Sequence, residues 1–223
     1  YLSQTCGFPA LKDRVVIISG DVLTDFDLSA ALKFHEDNKA DATLVLTRVP
    51  NPLQFGVVIV DDDGNITRFL EKPSWGEVFS DTINTGIYIL EHSVLELIPY
   101  KQDFDFSKNL FPLMMHEGKK LCGYIAEGYW RDVGTLNEYQ EASMDFLAGK
   151  VGLDIPGSLS GNLFRGPDVQ IDPATVTLGG TVVLGDRSRV AATARITNSV
   201  IGRDVDVAAG AFLQNTVIWD GCR

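Results

Sequence analysis

Two short acidic segments, far apart in the chain, hold the residue types that could do chemistry. Asp21 stands in Ser19-Gly20-Asp21-Val22-Leu23, directly after the apolar run Val15-Val16-Ile17-Ile18. Asp132 stands in Trp130-Arg131-Asp132-Val133-Gly134-Thr135, directly before a helical stretch. In open α/β sheets ligands gather beyond the carboxyl ends of strands. A carboxylate there can hold a hard cation such as Mg²⁺ through oxygen. The plainer reading of Asp21 is a turn residue, with Gly20 serving the backbone. The plainer reading of Asp132 is a loop residue supporting a helix cap at Thr135. The second motif is the more specific, because an aromatic, a carboxylate, a glycine and a cap stand at fixed offsets.

Between them lie Phe55-Gly56-Val57, Glu71-Lys72-Pro73 and Asn84-Thr85-Gly86. Alone, Glu71-Lys72-Pro73 reads as a charged strand end with Pro73 stopping the ladder. Gly56 and Gly86 alone read as a bulge or bend. In this order, with Asp21 and Asp132 around them and a six-residue repeat behind, the motifs resemble the sugar-1-phosphate nucleotidylyltransferases. The resemblance covers Val15 to about Gly149 as a transferase core and Val169 onward as a β-helix.

What the resemblance implies is specific. Asp21 and Asp132 would be the Mg²⁺ ligands, with Asp21 near the α-phosphate of an NTP. Glu71 would accept hydrogen bonds from sugar hydroxyls, and Asn84 would offer them a donor and an acceptor. Lys72 would meet the sugar phosphate as a flexible point charge. Gly20, Gly56 and Gly86 belong to the substrate-binding set, and the last two would let the backbone approach the ring. The implied reaction is in-line attack of a sugar 1-phosphate on the NTP α-phosphorus, releasing pyrophosphate. Within the family the best fit is to mannose-1-phosphate guanylyltransferases, using GTP. Glucose-1-phosphate enzymes using UTP, dTTP or ATP are close behind. A catalytically silent regulatory or assembly subunit of the same fold is a third reading. The family's opening glycine-rich nucleotide loop does not occur in these residues, and the chain starts at Tyr1 without Met. The expectation is a piece of a longer protein, inactive by itself.

The elements that must position these residues follow from pattern. Val15–Ser19 reads as a buried parallel strand. Asp27 can cap a helix to about Asn38, with Leu28, Ala31, Leu32 and His35 on one face. Ala42–Thr47 is the next strand, completing a βαβ unit. Val57–Val60 and Ile66–Leu70 flank the turn at Asp61-Asp62-Asp63-Gly64-Asn65. That acidic turn is no calcium loop: with Gly64 at the sixth position, Ile59 and Leu70 would fall on ligand positions. Further strands are Ile83–Leu90 and Leu121–Ala126. Phe106–Glu117 reads as helix with Pro112 a kink or late start. Thr135 to Glu138 forms a capping box for a helix to about Ala148. Met114, Met115 and the phenylalanines read as core, and Lys119-Lys120 as an exposed helix end.

Beyond Gly149–Gly166, a glycine-rich linker, the pattern changes. Leu184, Val190 and Ile196 recur as Ile201, Val207 and Leu213, with Ile218 following. Small residues such as Gly185 and Gly202 sit near the corners. This is a solenoid with three flat sides per turn, resembling the left-handed hexapeptide β-helix. The expected organisation is a core over residues 1–150, a linker over 151–166 and a β-helix over 167–223. In fold class it is a Rossmann-like, mixed but mostly parallel α/β sheet, truncated at its N-terminus, followed by a left-handed parallel β-helix. The β-helix suggests a homo-oligomer. An acyltransferase is the competing chemistry for such a helix, but it usually needs a histidine, and none follows His116.

Composition narrows the partners. The 223 residues are 45% hydrophobic, enough for a core. The formal charge of -11, from 19 basic and 30 acidic residues, argues against nucleic acid or an anionic membrane as a main partner. Cys6, Cys122 and Cys222 form no metal or disulfide pattern, and His35, His92 and His116 fit no ligand spacing. No membrane span or signal peptide is visible, and a reducing cytoplasm is expected.

Overall fold

The computed structural model describes residues 14–71, 73–74, 76, 80–153, 158–172 and 174–223. Cys6, Lys72 and Pro156 lie outside them. The chain divides into two compact units. One holds Phe26–Trp130 with the residues up to Val22; the other holds Leu23–Asp25 and Arg131–Arg223.

The first unit is built on a mixed sheet of β1 (Val15–Ile18), β3 (Ala42–Arg48), β4 (Gly56–Val60), β5 (Ile66–Glu71), β6 (Thr82–Leu90) and β7 (Leu121–Ile125). The strand path is β5-β4-β6-β3-β7, with β1 also on β6. β3 pairs parallel with β7, and β1, β3 and β4 each pair antiparallel with β6. Four strands, β1, β3, β4 and β7, therefore share one direction, and β5 and β6 run against them. The expected strand-helix-strand unit is present, but β6 is inserted between β1 and β3.

Period-two alternation along β3 and β6 splits the core into two layers. Leu44, Leu46, Tyr88 and Leu90 pack with Leu110, Phe111 and Met114 on one face. Val45, Ile87 and Ile89 pack with Phe26 and Ala31 on the other. The second layer is covered by α1 (Leu28–Asn38), whose N-cap Asp27 accepts from the Ser29 and Ala30 amides at 2.9 and 3.1 Å. His35 of α1 is buried. Its Nδ1 lies 2.8 Å from Thr43 Oγ1 and its Nε2 3.1 Å from Glu91 Oε1. After the short α2 (His92–Leu95), a π-helical turn over Phe106–Leu110 runs into α3 (Phe111–His116), with Pro112 in its first turn. Pro112 has no amide hydrogen to give, so the helix starts there without loss.

Two readings need correction. β1 is not a buried parallel strand: it pairs antiparallel, and Val16 and Ile18 are 46% and 47% exposed. Phe212 is 66% exposed rather than core.

β2 (Val22–Thr24) and β8 (Trp130–Asp132) pair as a two-stranded sheet; all but their first residues, Val22 and Trp130, belong to the second unit, which goes on to α4 (Leu136–Leu147). Thr135 Oγ1 accepts from the Glu138 amide at 3.2 Å, half of the expected capping box. The stretch read as linker contains β9 (Ser158–Ser160) and β10 (Leu163–Arg165), an antiparallel pair whose second strand joins the sheet of β12 (Thr177–Leu184). The solenoid continues with β14 (Arg195–Ile201), which pairs with β16 (Phe212–Gln214) before Asn198 and with β17 (Val217–Ile218) after it, so this sheet covers two sides that meet at the corner of Gly180, Asn198 and Asn215. On another side β11 (Gln170–Ile171), β13 (Arg189–Val190) and β15 (Asp206–Val207) stack in parallel. Side chains one coil apart meet at a sequence separation of 17, as in Arg187–Asp204 and Arg203–Asp220. A Cβ on Gly185 would lie 2.5 Å from the Gly202 carbonyl carbon, so the coil stack tolerates no side chain there. Among the described residues no helix is long and apolar enough to cross a membrane.

The interior of the solenoid is Val182, Leu184, Ile196 and Ile201, all nearly or fully buried. Replacing Ile196 by Ala should cost about 2–5 kcal/mol through lost transfer energy and an unfilled cavity. Urea denaturation followed by circular dichroism would show it as a lower midpoint of the transition that reports the solenoid.

Candidate active site

The Asn84-Thr85-Gly86 segment is a break in the register of β6. Val45 pairs with Ile87 and Leu46 with Asn84, so Thr85 and Gly86 are extra residues with no partner in β3. The Thr85 hydroxyl, buried, donates to the Val45 carbonyl at 2.7 Å and holds the bulge in place. On the other edge of β6, β4 reaches only Ile83 and β1 begins at Ile87. The edge strands part where the bulge sits, and bulges of this kind re-aim side chains beside functional sites.

Four expected residues meet at this opening. Gly56 pairs with Glu71 across β4 and β5. A Cβ on Gly56 would lie 2.9 Å from Glu71 Oε2, 2.9 Å from Phe69 Cζ and 3.5 Å from Asn84 Cβ. Gly86 has φ +78°, where an L side chain is strained, and its Cβ would lie 2.9 Å from Ser19 Oγ. The Ser19 amide donates to the Gly86 carbonyl at 3.0 Å, which ties the end of β1 to the bulge. Trp130 Nε1 donates to the Thr85 carbonyl at 3.1 Å, and its ring meets Phe55 edge-on. The aromatic of the Asp132 motif is thus a clamp on the bulge.

Asn84 is engaged more fully than expected. Its Nδ2 donates to Tyr88 Oη at 2.9 Å and to Ser107 Oγ at 3.3 Å, and its Oδ1 accepts from the Gly86 amide at 3.1 Å. Burial pushes the Tyr88 phenol above its ordinary pKa. The charges of Asp105 and Glu71 add to that rise, and hydrogen bonds with Asn84 and Ser107 oppose it. Sequence reasoning missed Tyr88 and Ser107. Tyr88 was findable, since positions four apart on a strand share a face. Ser107 comes from the π-helical turn, and no sequence signal placed it there.

Gly20 and Asp21 form the turn after β1, and Asp21 is exposed. A Cβ on Gly20 would meet nothing, so space alone does not demand glycine there. Lys72 lies outside the described residues. In the second unit Asp132 ends β8, half-buried. A Cβ on Gly134 would lie 3.3 Å from Asp132 Oδ1, so this glycine leaves room around the carboxylate. Arg131 reaches α4: Nη1 lies 2.7 Å from Glu138 Oε2 and 2.7 Å from Glu141 Oε2, and Nη2 lies 3.1 Å from Asp145 Oδ2. Among the described residues no group of three or more His, Cys, Asp or Glu could hold a metal unaided.

Comparison with known proteins shows the family. The family profile described as nucleotidyl transferase matches residues 7–149. The chain is 33% identical over 220 residues to a UTP–glucose-1-phosphate uridylyltransferase of Synechocystis sp., covering 96% of this chain and 57% of that protein. It is 33% identical over 213 residues to a mannose-1-phosphate guanylyltransferase of Mycobacterium tuberculosis, covering 95% and 54%. It is 34% identical over 224 residues to a glucose-1-phosphate adenylyltransferase of Clostridium perfringens, covering 92% and 54%. The chain thus spans a little over half the length of these relatives. With a profile match across most of its length, and the bulge, the paired Gly56 and Glu71 and the solenoid in place, the chain belongs to the nucleotidyl transferase family.

Proposed function

We propose that the protein transfers a nucleotidyl group from an NTP to a sugar 1-phosphate and releases pyrophosphate. The observation that carries this reading is the convergence of Gly56, Glu71, Asn84 and Gly86 where β4 and β1 part along β6. Hydroxyl and carboxylate groups gathered where the edge strands part suit a polyol ring. Glu71 accepts from sugar hydroxyls. Tyr88 and Ser107, whose oxygens accept from Asn84, keep their own hydrogens to donate. Gly56 leaves the Glu71 carboxylate the space that a Cβ would take, and Gly86 does the same for Ser19, so both glycines act by letting neighbouring side chains close in rather than by admitting the ring to the backbone. Lys72, next in sequence to Glu71, orients the attacking phosphate as a point charge.

Asp21 and Asp132 are assigned to Mg²⁺. Two carboxylates fill only part of an octahedral shell, and substrate phosphate oxygens and waters are the usual complement. The donor chemistry and the room that Gly134 leaves beside Asp132 fit such an ion. When bound, Mg²⁺ neutralises phosphate charge. A phosphate dianion is already nucleophilic, so the protein needs no general base; its residues bind and orient.

The three relatives differ in nucleotide and sugar at nearly equal identity. The relatives do not rank the substrates; mannose 1-phosphate with GTP stands first, on the sequence motifs alone, in a panel that includes glucose 1-phosphate with UTP, dTTP and ATP. We also propose that the protein is a homo-oligomer acting in the cytoplasm.

Pyrophosphate release by the intact protein across that panel tests the function. Asp132→Asn should lower turnover by orders of magnitude while leaving thermal stability nearly unchanged; near-parental turnover would remove Asp132 from the mechanism. No pyrophosphate with any pair on the panel would favour the silent-subunit reading.

Gly56→Ala makes a separate expectation. Its methyl must displace the Glu71 carboxylate, so KM for the sugar phosphate should rise about tenfold or more, with KM for the NTP little changed. Steady-state kinetics with each substrate varied in turn would separate the two.

A further inference from the structure

Arg131 directly precedes Asp132 in the chain. Its side chain is committed elsewhere. Glu138, Glu141 and Asp145 lie on one face of α4, and all three meet the Arg131 guanidinium. Asp145, only 14% exposed at its side chain, is held in turn by Lys150 Nζ at 2.6 Å. One planar fork with five N–H donors can serve three carboxylates at once; an ammonium cannot match that geometry.

The consequence runs through the strand. Successive residues of a strand face opposite sides. Holding Arg131 against α4 turns Asp132 away from that helix, and a slip of one residue in β8 would exchange the two. The connection from Asp132 to α4 is only Val133, Gly134 and the N-cap Thr135. Strand end and helix are thus fixed at two points, the cap and the guanidinium.

We propose that Arg131 is the positioning residue for Asp132: its three-carboxylate anchor on α4 sets the direction in which the Asp132 carboxylate is presented. This rests on the proposed role of Asp132 as a metal ligand. It assigns Arg131 no contact with substrate.

The test is Mn²⁺ binding to the intact protein, followed by electron paramagnetic resonance, with Mn²⁺ alone as the probe. Asp132→Asn identifies the relevant binding event by abolishing it. Arg131→Met should weaken that event about tenfold to a hundredfold, the usual cost of losing a group that orients a ligand. Arg131→Lys should fall between the parent and Arg131→Met. A residue needed only for folding would instead lower the melting temperature and the number of sites, leaving the affinity of the remaining sites unchanged. Arg131→Met leaves three carboxylates facing one another and could fail to fold. Arg131→Met with Glu141→Gln relieves that repulsion and should show the same weakened affinity. Parental Mn²⁺ affinity in the Arg131 variants, with binding lost in Asp132→Asn, overturns the inference alone. Parental affinity in Asp132→Asn as well overturns the metal role of Asp132, and this inference with it.

Discussion

The opening in the first unit depends on one irregularity of its sheet, the two extra residues in β6. A bulge of one residue would reverse the faces of everything beyond it. Two residues preserve the alternation, so Asn84 falls opposite Leu46 on the same face as Tyr88, while Ile87 still meets Val45 in the other layer. The polar motif can therefore open a site without costing the sheet its core. The Thr85 hydroxyl, donating to the Val45 carbonyl of the facing strand, fastens the bulge to β3. A hydrogen bond of this kind contributes about 0.5–1.5 kcal/mol. The threonine in this motif thus ties the irregularity to the regular sheet beside it.

The solenoid answers to a different constraint. Its coils stack at strand spacing, so any corner where backbones approach closely must be free of side chains. Gly185 and Gly202 show this directly. Other corners use residues with left-handed φ: Asn198, Asn215, Arg187 and Asp204 all have positive values. Asn198 earns its place by accepting from the Thr181 amide of the preceding coil at 3.2 Å. Arg187 and Asp204 form a two-point ion pair between coils, at 2.8 and 2.6 Å, and the arginine holds the Asp204 carboxyl below its usual range. Such exposed pairs add little stability; they fix the register of one coil on the next.

Much of this was legible in sequence because it is periodic or locally capped. The six-residue repeat announced the solenoid, Asp27 and Thr135 announced their helices, and the acidic turn announced the β4–β5 hairpin. The exposure of Val16 and Ile18 was not legible, since an apolar β-branched run reads the same whether one face is covered or both. The insertion of β6 between β1 and β3 was also hidden, because pairing between distant strands leaves no local mark. The site was legible as a set of residue types but not as a network. Asn84 was read as a sugar ligand, whereas both of its amide hydrogens and one side of its oxygen are used within the protein. Its larger part is to present Tyr88 and Ser107 as donors.

The proposed reaction brings two polyanions to a chain of charge -11, and the ion pairs explain how that can work. Arg14 is matched by Glu36 and Glu91, Arg131 by three carboxylates, and Lys150 by Asp145. Arg187, Arg189 and Arg203 are spent between coils. These cations organise the scaffold and give it little net positive field. A protein arranged this way does not attract phosphates at long range, where salt would screen the pull in any case. On the proposed reading they are neutralised at contact, by the divalent ion assigned to Asp21 and Asp132 and by Lys72. On that arrangement the acidic balance is compatible with the reaction and favours discrimination, because only a ligand that also satisfies the Glu71, Tyr88 and Ser107 pattern gains enough to stay.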